Sequence, residues 1–254
     1  MRDTRSYGAI FSQLTRLVGS HTANSRCHIQ GVSWHAGCTS LVPVKLRFIG
    51  AAGEVTGSRH ILETERSRIL LDCGLFQGRR QESRQKNLQL GFSPDSIDAV
   101  VLSHAHIDHS GALPLLFKQG YHGPVYATPA TRDLCAVMLL DAAMIQAADA
   151  RYLNRAIARG EADAEPIEPL YDVDDVERVL ACTVSVPYHR KERIAEDVTL
   201  TLYDAGHVLG SAVVVLDVDD AGAMKRLVFT GDLGRHGLPI LRDPELVSGA
   251  HAVI

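Results

Sequence analysis

Runs of apolar residues separated by polar turns begin at Val44, and they predict strands. The run Ala99–Leu102 is short and wholly apolar, which is typical of a strand covered on both faces. The other strands are predicted from short apolar runs bounded by turn residues, at 45–50, 60–64, 68–72, 125–127, 198–204, 212–217 and 226–230. Residues 219–222 form the turn between the last two strands.

Helical patterns occupy the middle of the chain. Short helices are predicted at 80–90, 111–119 and 173–180. A long helix begins at Pro129, with Thr128 as its N-cap. Its apolar residues at helical spacing predict packing against a core: Leu134, Val137, Met138, Ile145 and Tyr152. Strands, then helices, then strands predict one layered α/β (α+β) domain over residues 44–254.

Residues 1–43 differ from the rest, with four arginines, six serines and Asp3 as the one acidic residue. We expect a disordered or non-native extension. A mitochondrial-type transit peptide shares this composition and stays open as an alternative. A small metal site made by Cys27, His28, His35 and Cys38 is a third alternative, although the spacing matches no established zinc pattern.

The net charge and the cysteines bear on which partners and which cellular compartment are expected. A net charge of −4 gives no sign of a nucleic-acid partner by itself. Five cysteines without a CxxC pair favour a reducing cytoplasm over a disulfide framework. No apolar run approaches the roughly 18 residues that span a bilayer, so no membrane partner is expected.

The segment Ser103-His104-Ala105-His106-Ile107-Asp108-His109 holds four potential metal ligands. In an extended chain, alternate residues point to the same side. His104 and His106 would then hold one ion, and Asp108 and His109 a second ion close by. Imidazole and carboxylate ligands suit zinc, with manganese or iron as alternatives, and the absence of cysteine favours an open catalytic site.

Two later segments offer further ligands at strand ends. His207 follows the strand 198–204, and Asp232 lies in Thr230-Gly231-Asp232-Leu233-Gly234. Both residues have neighbouring glycines that allow close backbone approach. Together with the central motif, they are predicted to complete a two-zinc site.

These motifs resemble the metallo-β-lactamase superfamily, in which Asp72 of Leu-Leu-Asp-Cys-Gly would stand in the first motif. The resemblance implies an αββα sandwich, of which this chain would be the N-terminal portion. It also implies that His104, His106 and His207 hold the first zinc, that Asp108 and His109 hold the second, and that Asp232 bridges them. Asp72 would orient the motif loop from outside the ligand set.

Four further features resemble the β-CASP branch, which processes RNA or, in some members, DNA. They are the segment 48–58, Leu75-Phe76-Gln77-Gly78, and 206–212, together with a long helical insertion over 128–179. The resemblance implies a phosphodiesterase that cuts RNA, internally or from the 5′ end, through a metal-bound hydroxide. Asp108 would orient or deprotonate the attacking water as the catalytic residue.

The chain also departs from this branch. Only 22 residues follow Asp232, so the branch's β-CASP domain and its late histidine are expected to be absent. His236 and His251 lack the expected context and are predicted to be exposed. The chain would end inside a buried strand, and an unpaired edge there predicts poor solubility or a homodimer.

Two other functions stay open at this stage. A small-molecule esterase, thioesterase or lactonase could use the same ligands, and a closed pocket formed by the insertion 128–179 would favour it. The other alternative is that the chain is a truncated fragment that binds metal but is inactive.

Overall fold

The computed structural model describes residues 44–161 and 165–254. A first sheet has the order β1-β2-β3-β4-β5-β6. Its strands are β1 (Lys45–Phe48), β2 (His60–Glu63), β3 (Arg68–Leu71), β4 (Ala99–Val101), β5 (Val125–Ala127) and β6 (Thr183–Ser185). Strands β3 to β6 run parallel, so their carboxyl ends meet at one edge of the sheet.

A second sheet has the order β11-β10-β9-β8-β7. Its strands are β7 (Glu192–Arg193), β8 (Val198–Asp204), β9 (Ala212–Asp220), β10 (Ala223–Phe229) and β11 (Ala252–Val253). The antiparallel register of β8 with β9 places Asp204 opposite Ala212. The connection between these strands carries His207.

Five helices accompany the sheets within the described residues. They are α1 (Arg80–Asn87), α2 (Ile107–Ser110), α3 (Leu113–Lys118), α4 (Pro129–Ala158) and α5 (Val173–Ala181). Thr128 caps α4 by accepting a hydrogen bond from the N–H of Thr131, as predicted. In α5, Asp172 and Asp175 form a reciprocal capping box that fixes its first turn.

The alternation of side chains along the first sheet separates two cores. Ile61, Leu70 and Val100 point toward helix residues such as Leu116 and Leu139. Their neighbours Leu62, Ile69 and Val101 point to the second sheet, where they pack with its inner face. The described residues therefore form a helix layer on two packed sheets.

The structure corrects several predicted details. Asp108 lies in the helical turn α2, because the helix begins at Ile107 inside the motif. The motif is therefore extended only as far as His106. On α4, Leu134 and Met138 pack on the core, whereas Val137, Ile145 and Tyr152 are exposed. The last strand, β11, is exposed at a sheet edge and not buried as predicted.

Strands β6 and β7 were not predicted from the sequence. They are only three and two residues long, too short for a hydrophobic period to show. The predictions for residues 1–43, including the Cys27, His28, His35 and Cys38 alternative, lie outside the described residues.

Candidate metal centre

Four predicted ligands converge at the edge where the parallel strands end. His104 and His106 follow β4, His207 follows β8, and Asp232 follows β10. One donor atom from each of these four residues lies within 4.8 Å of the others. Residues more than a hundred positions apart are thus brought into one cluster.

The distances between donor atoms suit a single ion. His106 Nδ1 lies 3.1 Å from His104 Nε2 and 3.2 Å from His207 Nε2. Asp232 Oδ2 lies 3.8 Å and 3.5 Å from the same two Nε2 atoms. A tetrahedral zinc site with bonds of 2.0–2.1 Å separates its ligand atoms by about 3.3 Å. The donor set and its spacing therefore fit zinc.

Hydrogen bonds that the Asp72 carboxylate accepts fix which imidazole nitrogens of His104 and His109 face the cluster. Asp72 is fully buried, and its Oδ2 lies 2.6 Å from His109 Nδ1 and 2.9 Å from the Ser103 hydroxyl that donates to it. That hydroxyl lies 3.0 Å from His104 Nδ1. With the proton of each ring on Nδ1, both Nε2 atoms keep their lone pairs for a metal.

The electrostatics agree with neutral imidazoles at the ligand positions. Burial lowers the pKa of His104 to about 3, despite the nearby Asp72 carboxylate. Burial also lowers the pKa of His207, although the charge of Asp232 acts in the opposite direction. A neutral imidazole is the form that ligates metal ions, so these rings need lose no proton at neutral pH.

Asp72 and His109 form a buried pair whose pKa values shift in opposite directions. Burial alone would raise the pKa of Asp72, but the charge and hydrogen bond of His109 lower it overall. Burial alone would lower the pKa of His109, but Asp72 raises it overall. The pair is therefore stabilised in its charged, hydrogen-bonded form when no metal is bound.

The second predicted ion site is only partly assembled. His109 Nε2 lies 3.5 Å from Asp232 Oδ1, so Asp232 faces both His109 and the four-residue cluster. Asp108 interacts electrostatically with His109 and His207, but its carboxylate is not part of the close cluster. The ligand roles of Asp108 and His109 stay predictions.

Glycines allow the loops to approach one another. A Cβ on Gly74 would lie 1.6 Å from the carbonyl oxygen of Asp108, where backbone hydrogen bonds join residues 73 and 75 to the motif. A Cβ on Gly234 would lie 1.7 Å from the carbonyl oxygen of Gly206. Side chains at these positions would push apart the loops that carry the ligands.

Sequence reasoning did not identify how the His207 loop is held. The carbonyl oxygen of Gly210 accepts hydrogen bonds from the hydroxyls of Thr128 and Thr131, at 2.7 Å and 2.8 Å. The first turn of α4 thereby anchors the loop that carries His207. Ser103 was likewise missed, because a serine at a strand end carries no distinctive signal.

His236 and His251 lie apart from the cluster, in other contacts. His236 Nδ1 lies 3.3 Å from Asp243, and His251 Nδ1 accepts a hydrogen bond from the N–H of Arg226. Asp232, by contrast, has a side chain that is 47% exposed. The metal centre is therefore open to solvent on its Asp232 side.

Comparison with known proteins agrees with the motifs. Ribonuclease TTHA0252 of Thermus thermophilus is 40% identical over 205 residues, which cover 81% of this chain and 41% of that protein. Transcription termination factor FttA of Methanosarcina mazei is 38% identical over 201 residues, which cover 78% and 29%. The chain thus spans about two fifths, or less, of the length of these relatives. The similarity to these two relatives agrees with the predicted resemblance to the β-CASP branch.

Among solved structures, a Cronobacter sakazakii metallo-beta-lactamase, the HARLDQ motif mutant S60, aligns with a TM-score of 0.45 and 20% identity. It covers 76% of this chain and 62% of that one. This likeness is too low to carry an argument. Residues 61–226 match the family described as a metallo-beta-lactamase superfamily domain. Since this match spans more than half of the 254 residues, the chain belongs to the metallo-β-lactamase superfamily, as its motifs predicted.

Proposed function

We propose that this protein is a metal-dependent phosphodiesterase that hydrolyses RNA. The convergence of His104, His106, His207 and Asp232 carries the proposal, since it provides an open site for a Lewis-acidic metal. The relatives named as a ribonuclease and as transcription termination factors support RNA as the substrate.

We assign two zinc ions to the site. His104, His106 and His207 would hold the first, Asp108 and His109 the second, and Asp232 would bridge them. Such ions lower the pKa of a shared water and stabilise negative charge on phosphoryl oxygens. The position of Asp232 between His207 and His109 supports the bridging role.

The remaining roles fall to groups of the chain itself. The Asp108 carboxylate interacts electrostatically with His109 and His207. It would orient the attacking water and accept its proton. Asp72 positions the His104 ring through the Ser103 hydroxyl. It positions the His109 ring through a direct hydrogen bond. The exposed side of Asp232 leaves room for a polymer to cross the site.

A small-molecule hydrolase is the alternative, and the insertion 128–179 bears on it. Helix α4 packs with Cys135, Leu139 and Ala143 on the helix-side core, and α5 packs beside it. The described part of the insertion therefore lies on the outer face of the first sheet and does not close a pocket over Asp232. This arrangement favours a long substrate over a small ester.

The test is cleavage of end-labelled single-stranded RNA by the zinc-loaded chain, with a thioester and a lactone as competing substrates. We expect RNA cleavage that His106→Ala abolishes and that Met224→Ala, at an exposed position near the turn between β9 and β10, leaves unchanged. Hydrolysis of the thioester or lactone without RNA cleavage would favour the alternative.

Zinc titration by calorimetry tests the hypothesis that the chain is an inactive fragment. Two tight sites per chain would contradict it, whereas zero or one would support it.

The homodimer and the cytoplasmic location also stay predictions. The exposed edge strand β11 supports association, which light scattering would detect. No helix among the described residues is long and apolar enough to cross a membrane.

A further inference from the structure

A cavity of about 400 Å³ lies beside the His207 loop. We call it the Leu209 pocket; its lining includes Pro129, Pro187, Tyr188, Leu209, Ile240 and Arg242. We propose that the Leu209 pocket binds a nucleobase of an RNA strand that crosses the metal centre. This inference rests on the proposed function and adds a substrate-binding site to it.

The topology places the Leu209 pocket on the same edge as the metal centre. The motif loop follows β4, Pro129 follows β5, and Pro187 follows β6, and these three strands run parallel. Neighbouring strands are about 4.8 Å apart, so the pocket begins about 5–10 Å along this edge. Leu209 is two residues after His207, which limits their Cα separation to about 7.6 Å. A bound strand would therefore pass over the pocket.

The pocket surface suits a flat, weakly polar group. Leu209 is 53% exposed and Ile240 is 93% exposed at its rim, and prolines 129 and 187 form part of its walls. Covering such apolar surface is favourable, and a nucleobase presents apolar faces of this size. Pockets of this volume and character commonly hold small aromatic groups.

Arg242 supplies the charge that a nucleic acid needs. Its side chain is exposed and lies close enough to Glu245 to interact with it electrostatically. A guanidinium can stack on a base or pair with a backbone phosphate. Arg242 is the one positively charged residue among those that line the pocket, so it is the lining residue that would attract the phosphate backbone of the strand.

Apart from Arg242, three polar side chains that line the pocket are engaged in hydrogen bonds within the protein. The Tyr188 hydroxyl donates to the carbonyl oxygen of Ser211 at 2.9 Å, and the Thr128 hydroxyl donates to that of Gly210. Asp204 accepts the N–H of Gly206. The pocket therefore offers a stacking surface and few groups that read base edges, so we expect binding with little base preference.

The experiment combines one abasic RNA position with one pocket variant. The zinc-loaded chain is mixed with dye-labelled single-stranded RNA whose phosphorothioate linkages slow cleavage, and Kd is measured by fluorescence anisotropy. Removing the base at one position should raise Kd about five- to tenfold for the wild type. In Leu209→Ala and in Arg242→Ala, that penalty should fall below twofold. Met224→Ala is the control and should retain it.

Hydrolysis of bis(p-nitrophenyl) phosphate, a phosphodiester without a base, is measured in parallel. The Leu209→Ala substitution should lower the rate on this substrate less than it lowers the rate on RNA, because bis(p-nitrophenyl) phosphate has no base for the pocket to bind. An equal loss on this substrate and on RNA would overturn the proposal, since Leu209 would then act on the metal centre itself.

The two proposals fail separately. If RNA is not cleaved but the abasic penalty depends on Leu209, the nuclease function is wrong and the pocket stands. If RNA is cleaved but no abasic position is sensitive to Leu209→Ala, the pocket is wrong and the function stands. Failure to bind RNA at all would overturn the pocket.

Discussion

Replacing Asp72 with asparagine should weaken zinc binding about 10- to 100-fold, the usual effect of removing a group that orients a metal ligand. The substitution preserves the backbone, because Asp72 has a φ of 56° and asparagine tolerates this left-handed conformation as well as aspartate does. The change therefore acts on the hydrogen bonds of the side chain.

The magnitude follows from the donors around Asp72. Oδ1 accepts the N–H of Ser103 at 2.8 Å, while Oδ2 faces His109 Nδ1 and the Ser103 hydroxyl. Either orientation of an amide points its NH₂ group at one of these N–H donors. If it faces His109, the ring must move its proton to Nε2 and lose the lone pair directed at the metal. The lost charge-assisted hydrogen bonds should also cost about 1.5–3 kcal/mol of unfolding free energy.

The assays are zinc competition with a chromophoric chelator and urea unfolding of the metal-free chain. Asp98→Asn is the matched control, because the exposed Asp98 also accepts a backbone N–H, from Arg68 at 2.7 Å, at the start of β4. Its zinc affinity should equal that of the wild type. Equal zinc affinity and stability of the Asp72→Asn and Asp98→Asn variants would refute the reasoning.

The effect on stability should depend on pH in a defined direction. The pKa of Asp72 lies below its ordinary value of 3.8 in the folded, metal-free chain. Its contribution is therefore fully present above about pH 4 and is lost as the pH falls through the folded-state pKa. Wild type and Asp72→Asn should converge in stability in acid, as urea unfolding at several pH values would show.

Three other changes probe the loops and the metal. Gly234→Ala should lower both zinc affinity and melting temperature, because its Cβ would lie 1.7 Å from the carbonyl oxygen of Gly206; an unchanged calorimetric profile would contradict this. Thr131→Val should weaken zinc binding and Thr131→Ser should restore it, since the hydroxyl holds the Gly210 carbonyl; titration of both variants decides. Removing zinc with a chelator should lower the unfolding free energy by about 2.7 kcal/mol for each zinc site, relative to zinc at 100 times its Kd, measured by urea unfolding.

Much of the local structure could be predicted from neighbouring residues alone. The strand Val198–Asp204 and the Thr128 cap of α4 agree with the predictions residue for residue. Each depends on interactions within a few positions, which leave a period or a capping residue in the sequence. The motif His104–His109 likewise named its ligand types without any structure.

Other features depend on how distant parts of the chain pack. The exposure of Tyr152, at 70%, could not be read from its helical spacing, because spacing gives the face of a helix and not what covers that face. Asp108 lies in a helical turn whose carbonyl groups accept hydrogen bonds from residues 73 and 75, contacts between segments that the motif alone does not reveal. The sequence alone determined which side chains could bind metal. Only the packing of two sheets, through contacts across a hundred residues that leave no local pattern, brought His106, His207 and Asp232 together.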